Sequence, residues 1–167
     1  KKLYNKTIHC LTKKILLVCS IVNSELMLTC YINMIPVWRI EMYDLSENLP
    51  YVLSKLDIKD IDTVVFVQTP GSFTALRITY VSIQAIKMIY PNIQILGVEI
   101  QTVYQGCIAI IGKNTWHVYQ NNVWTILEYP PCNAHIVSNE SLHYAVLLWY
   151  LEQGRTIQSD TSYCPLY

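Results

Sequence analysis

The sequence predicts an α/β fold, a mixed sheet whose elements run in the order βββαβα before further strands and a closing helix. Three observations carry this prediction. The β-rich runs KKILLVCSIV, ELMLTCYIN and PVWRIEMY follow one another at hairpin-like spacing. The stretch TVVFVQ is apolar without alternation, as a central strand covered on both faces must be. Apolar residues recur at helical spacing in LSENLPYVLSKL and in FTALRITYVSIQAIKMIY.

Taken in order, the first two runs make a β-hairpin broken at Asn23 and Ser24, and an Asn-Met-Ile-Pro break leads into the third strand of a meander. The lysines ahead of residues 15–22 give that run some likeness to a secretory leader. However, Asn23, Ser24 and Glu25 interrupt it and no small-x-small cleavage site follows, so a buried hairpin is the better reading. Ser46 is expected to cap the next helix, with Pro50 in its first turn and Leu49, Val52, Leu53 and Leu56 on one face. A short Asp-Ile-Asp link precedes TVVFVQ. After the Pro-Gly turn a long helix runs from residue 73 to about 90, where Pro91 and Asn92 end it. Strand IQILGV, a short segment EIQTVYQG, strands CIAIIG, TWHVYQ and VWTILEY, the Pro130-Pro131 break and strand HIVS follow. Residues 140–153 form the closing helix, with Gly154 at its C-cap. The sequence carries no internal repeat, low-complexity tract or linker.

A chain of 167 residues, 52% hydrophobic, buries one good core and predicts one compact unit, with room for two lobes. Lys plus Arg and Asp plus Glu number 12 each, so no net field draws the chain to a nucleic-acid backbone. The six cysteines, Cys10, Cys19, Cys30, Cys107, Cys132 and Cys164, lie far apart without a C-x-x-C pair. They read as reduced core residues of a cytoplasmic protein. No apolar stretch approaches the roughly 20 residues of a membrane-spanning helix.

The strand-turn-helix stretch VVFVQTPGSFTALRITY invites three chemical readings: phosphate cradle, nucleophile turn, or plain connection. A phosphate loop needs G-x-x-x-x-G-K-[ST], whereas Gly71 stands alone and no lysine follows before Lys87. A nucleophile elbow needs G-x-S-x-G, whereas residues 70–74 are Pro-Gly-Ser-Phe-Thr, so Ser72 reads as a helix cap. His9, His117, His135 and His143 show no zinc spacing, and no metal site is expected. The 13 tyrosines and 4 tryptophans fall mostly on strands, where they stabilise sheet faces. Asp57, Asp60 and Asp62 read as solvated turn carboxylates.

Two features need more. Arg77 sits in the first turns of the long helix, where a cation opposes the helix dipole, so an ion pair with Asp62 or Glu99 is expected, with a ligand contact as the alternative. The helix itself is apolar almost all round, since Leu76, Ile78, Val81, Ile83, Ile86 and Ile89 cannot share one stripe. Ala75, Thr79 and Ser82 form a small-residue line along which another helix could approach. Intramolecular packing and a partner interface account equally well for a second covered face.

The stretch TPGSFTALR resembles the G-P-G-S-F-T-G-L-R signature of the bacterial TsaB (YeaZ) family, relatives of the glycoprotease-like TsaD within the actin/Hsp70 type of ATPase fold. ILLVCS resembles the family's I-L-A-L-D-T-S strand, LSENLP its H-S-E-x-L-x-P helix start, and ILGVEIQTVYQG its P-x-x-G-V-S-S-L-x-x-x-A segment. IIGKNTWHVY is similar to a worn I-D-A-R-x-x-x-V-Y, and the terminal CPLY to a P-x-Y ending. The resemblance implies an actin/Hsp70-like (ribonuclease H-like) lobe over residues 13–98 and a reduced second lobe over 99–167. It also implies a cytoplasmic, non-catalytic scaffold subunit without cofactor of its own, ATP and metal belonging to its partners. Those partners would be a TsaD-like protein, which carries the active site, and a TsaE-like ATPase. The complex transfers threonylcarbamoyl from threonylcarbamoyl-AMP to the adenosine beside the tRNA anticodon, and the chain would meet tRNA only through it.

On this resemblance the signature turn comprises Pro70, Gly71, Ser72, Phe73, Thr74, Leu76 and Arg77. The family's helical interface with TsaD, or with a second TsaB when TsaD is absent, maps to Leu49, Leu53, Ala75, Thr79, Ser82, Ile83 and Ile86. The chain departs from the pattern where family members carry the strand-end aspartate (Cys19), the aspartate of I-D-A-R (Gly112), the histidine (Leu45) and the outer glycines (Thr69, Ala75). A neutral thiol is a poor ligand for a hard cation, so Cys19 weakens the case for magnesium-nucleotide handling. The rival reading is a glycoprotease-type peptidase or small-molecule transferase acting through Ser72, and it lacks a base at diagnostic spacing. An autonomous tRNA binder would need a basic surface that the neutral composition does not offer.

Overall fold

The computed structural model describes residues 14–21, 25–43, 45–70, 73–112 and 114–153. Three strands, β1 (Lys14–Ile21), β2 (Glu25–Ile32) and β3 (Ile35–Met42), form the antiparallel meander. Helix α1 (Leu45–Lys55) follows, then a 3₁₀ turn (Ile58–Asp60) and β4 (Thr63–Gln68). Next come α2 (Phe73–Ile89), β5 (Gln94–Glu99) and the single-turn helix α3 (Ile100–Val103). Strands β6 (Ile108–Ile111), β7 (Trp116–Gln120), β8 (Val123–Leu127) and β9 (His135–Ile136) precede α4 (Asn139–Gln153).

The larger sheet has the order β3-β2-β1-β4-β5, with β1, β4 and β5 parallel. Thr63 through Val67 of the central β4 are buried, as an unbroken apolar run on a doubly covered strand requires. Its residues alternate between two cores. Val64 and Phe66 join Leu26, Leu28 and the inner faces of α1 and α2 on one side. Val65 and Val67 join Leu96, Val98, Ile108, Ile110, Leu142 and Val146 on the other, so β6 and α4 share the second core with the larger sheet.

The smaller sheet has the order β8-β7-β6-β9, with β9 parallel to β6. That repeats the β3-β2-β1-β4 pattern of the larger sheet, a likeness of topology without any likeness of sequence. Tyr119 and Trp124 face each other across β7 and β8 with ring centroids 5.2 Å apart, so these aromatics support a sheet face.

Several expectations are corrected in detail. The helix begins at Leu45, so Ser46 lies inside it rather than capping it, and Pro50 falls in the second turn rather than the first. Among the cysteines expected in the core, Cys30 is buried, but Cys107 is only half-buried and Cys132 is exposed. Cys132 lies in a turn closed by the Ala134 N–H donating to the Pro131 carbonyl, at 3.0 Å, which holds it outside either core. Cys10, Cys164 and the Gly154 cap lie outside the described residues. Among the described residues, no helix is long and apolar enough to cross a membrane.

Candidate partner-binding groove

Helices α1 and α2 lie side by side on one face of the larger sheet. Residues at i, i+4 and i+8 turn inward: Leu49 and Leu53 from α1, Ala75, Thr79 and Ile83 from α2, with Ile86 one turn further on. The small side chains of Ala75 and Thr79 let α2 approach the sheet closely. The Thr79 hydroxyl is satisfied by donating to the Ala75 carbonyl at 2.9 Å. At the far end, the Lys87 ammonium donates to the carbonyls of Pro91 (2.8 Å) and Ile93 (2.6 Å), which secures the chain as it leaves the helix.

Between the outer shoulders of the two helices runs a groove of about 430 Å³. Pro50, Leu53, Ser54 and Leu56 line it from the α1 side, Val81, Ser82, Ala85 and Ile89 from α2. Val81 is 63% exposed and Ile89 68%, while Tyr51 and Met88 stand exposed on the same two helices. Among the described residues no lining side chain carries a charge, so the surface is suited to an apolar partner. Among the described residues, no group of three or more His, Cys, Asp or Glu could hold a metal ion.

The residues expected at a partner interface fall into two sets. Leu53, Ser82 and Ile86 line the groove, Ser82 part-exposed and the other two mostly covered, while Leu49, Ala75, Thr79 and Ile83 are buried and do not line it. The outward set is Val81, Ala85, Met88 and Ile89, with Tyr51 across the way. Phase against the buried stripe would have located it, but only once that stripe was known.

In the signature turn, Pro70 is half-buried, Phe73 and Thr74 are exposed at the start of α2, and Leu76 is half-buried. Gly71 and Ser72 lie outside the described residues. Arg77 does not form the expected pair with Asp62 or Glu99; its guanidinium lies over the Phe73 ring, 5.2 Å from the centroid, one turn back on its own helix.

At Gly112, where the resemblance calls for an aspartate, the backbone N–H donates to the Thr115 carbonyl at 2.7 Å. A Cβ there would come within 2.9 Å of that same oxygen and 3.4 Å of the His117 ring, so the site has no room for a carboxylate. Burial lowers the pKa of His117.

The backbone matches YeaZ from Pseudomonas aeruginosa with a TM-score of 0.57, at 14% identity, over 93% of this chain and 99% of that one. The chain has the YeaZ fold. A second solved structure, described as an uncharacterized protein with similarity to the peptidase YeaZ from the same organism, gives a TM-score of 0.54 with the same identity and coverage. No family model and no curated protein matches the chain by sequence. At this identity the likeness is one of architecture.

Proposed function

We propose that the chain is a TsaB (YeaZ)-type scaffold subunit that docks on a TsaD-like protein through the α1–α2 groove. In this reading it stabilises the partner that transfers threonylcarbamoyl to the adenosine adjacent to the tRNA anticodon, and performs no catalysis itself. The observation that carries it is the uncharged apolar groove flanked by exposed Val81 and Ile89, for which water is a poor occupant. The sequence resemblance at TPGSFTALR and the YeaZ fold support the same reading. A TsaE-like ATPase, and tRNA bound by the complex as a whole, complete the proposed assembly in the cytoplasm. ATP and metal belong to the partner subunits.

Co-expression with the cognate TsaD-like protein followed by gel filtration tests the proposal. Co-elution is expected for the native chain. Ser82→Arg, which puts a charged side chain into the groove, should abolish it while leaving the far-ultraviolet circular dichroism of the isolated chain unchanged. Failure of two folded native proteins to co-elute would sink the reading; full binding by Ser82→Arg would move the interface elsewhere.

A further inference from the structure

A pocket of about 310 Å³ opens between the edge of the larger sheet and the connection from α1 to β4. Ile32 and Val37 on the strands, with Leu56 and Ile61 on the connection, give it apolar walls, and Trp38 adds an indole. Among its described lining residues, Asp57 and Asp60 alone are charged. An anion would be repelled there, and a wholly apolar group would strip water from the carboxylates without replacing it. An apolar stem ending in a cation satisfies both parts, and an indole face adds to the attraction.

The carboxylates are not vacant. Asp57 lies 3.4 Å from the Lys59 ammonium, and Asp60 has contacts of its own. The Lys59 and Asp57 side chains are 64% and 68% exposed, so water screens their pairing and an incoming cation can exchange for the lysine at little cost. Leu56 lines both this pocket and the α1–α2 groove. The groove and the pocket are thus neighbours on either side of one side chain.

We propose that the pocket receives a lysine or arginine side chain of the protein that docks on the groove, a basic anchor beside an apolar contact. This rests on the docking reading above. It adds a selection rule: a partner with the same apolar surface but no basic residue at that end binds more weakly.

The test uses the full ¹⁵N-labelled chain with n-butylguanidinium as probe and the neutral, similarly shaped n-butylurea as control. The readout is the Trp38 indole resonance, assigned by its loss in Trp38→Phe. The guanidinium should shift it saturably and the urea should not. Replacing both carboxylates, Asp57→Asn with Asp60→Asn, should weaken the guanidinium about tenfold, as loss of a charge-assisted contact does. Ser82→Arg should leave that binding unchanged. Equal responses to the two probes, no saturable shift, or undiminished binding by the double variant would each overturn the pocket's cation preference. Cation binding without co-elution of the TsaD-like protein overturns the docking reading and the anchor with it. Co-elution at full strength with the double variant overturns the anchor alone.

Discussion

His143 is 1% exposed on α4, and neither ring nitrogen meets a hydrogen-bond partner among the described residues. The Met27 backbone on β2 faces the ring and favours its charged form, without meeting hydrogen-bond geometry. Burial and, after it, the Arg39 guanidinium on β3 outweigh that contribution and hold the imidazole near a pKa of about 4, against 6.5 for a free histidine. Arg39 is itself 3.5 Å from Glu140, on the first turn of α4. The sign follows from proton counting. Above pH 6.5 both folded and unfolded chains carry neutral His143; between there and about pH 4 only the unfolded chain takes up the proton. Stability should therefore fall as the pH drops through that window, by on the order of 3 kcal/mol when complete. Urea unfolding at pH 7 and pH 5 should show the loss, and His143→Leu should reduce it; an unchanged pH slope in the variant would refute the assignment. A lone histidine letter gave no hint of this. Its burial follows from its place beside Leu142, Val146 and Tyr150, the stripe that α4 turns into the second core.

At the scale of elements, strands and helices were legible because period and length agreed: TVVFVQ is β4 residue for residue, and the long helix predicted from residue 73 ends at Ile89. The inward stripe of α2 was not legible. Its small residues fit a helix partner as well as a sheet, and the choice was made by the core it joins, which includes Leu26 and Leu28, far away in sequence from Ala75. The turns carry a testable consequence. Both two-residue hairpins place non-glycine residues in the left-handed region, Asn33 (φ 49) with Met34 (φ 67), and Asn121 (φ 54) with Asn122 (φ 64). Type I′ turns favour Asn-Gly, and glycine occupies the second position without strain. Asn122→Gly should therefore stabilise the chain by about 0.5 kcal/mol and raise Tm by about 1–2 °C in thermal denaturation. A lowered Tm would show that the 3.4 Å contact between the Tyr119 hydroxyl and Asn122 Oδ1 matters more than the turn. Met34→Gly should gain less, because Met34 also packs against the second core.

Across the whole molecule, the sequence showed that one core was affordable in composition but not that two sheets would share it. The smaller sheet is cut short at β9, a two-residue strand, and its topological likeness to the larger one is invisible in the letters. What joins them is a set of side chains from both: Ile15, Val65 and Leu96 from the larger sheet, Ile108 and Ile110 from the smaller, and Leu142 and Val146 from α4. Unfolding either sheet alone would expose the apolar surface of the other, so the described fold should melt as one unit. Tryptophans sample both parts, with Trp38 on β3, Trp116 and Trp124 on the smaller sheet and Trp149 on α4. Tryptophan fluorescence and far-ultraviolet circular dichroism should then give coincident urea transitions. Leu142→Ala, which removes a fully buried side chain from the shared core, should move both midpoints together, by a loss of about 2–5 kcal/mol. Two separated transitions, only one of them displaced by Leu142→Ala, would mean that the sheets fold independently and that α4 belongs to one of them alone.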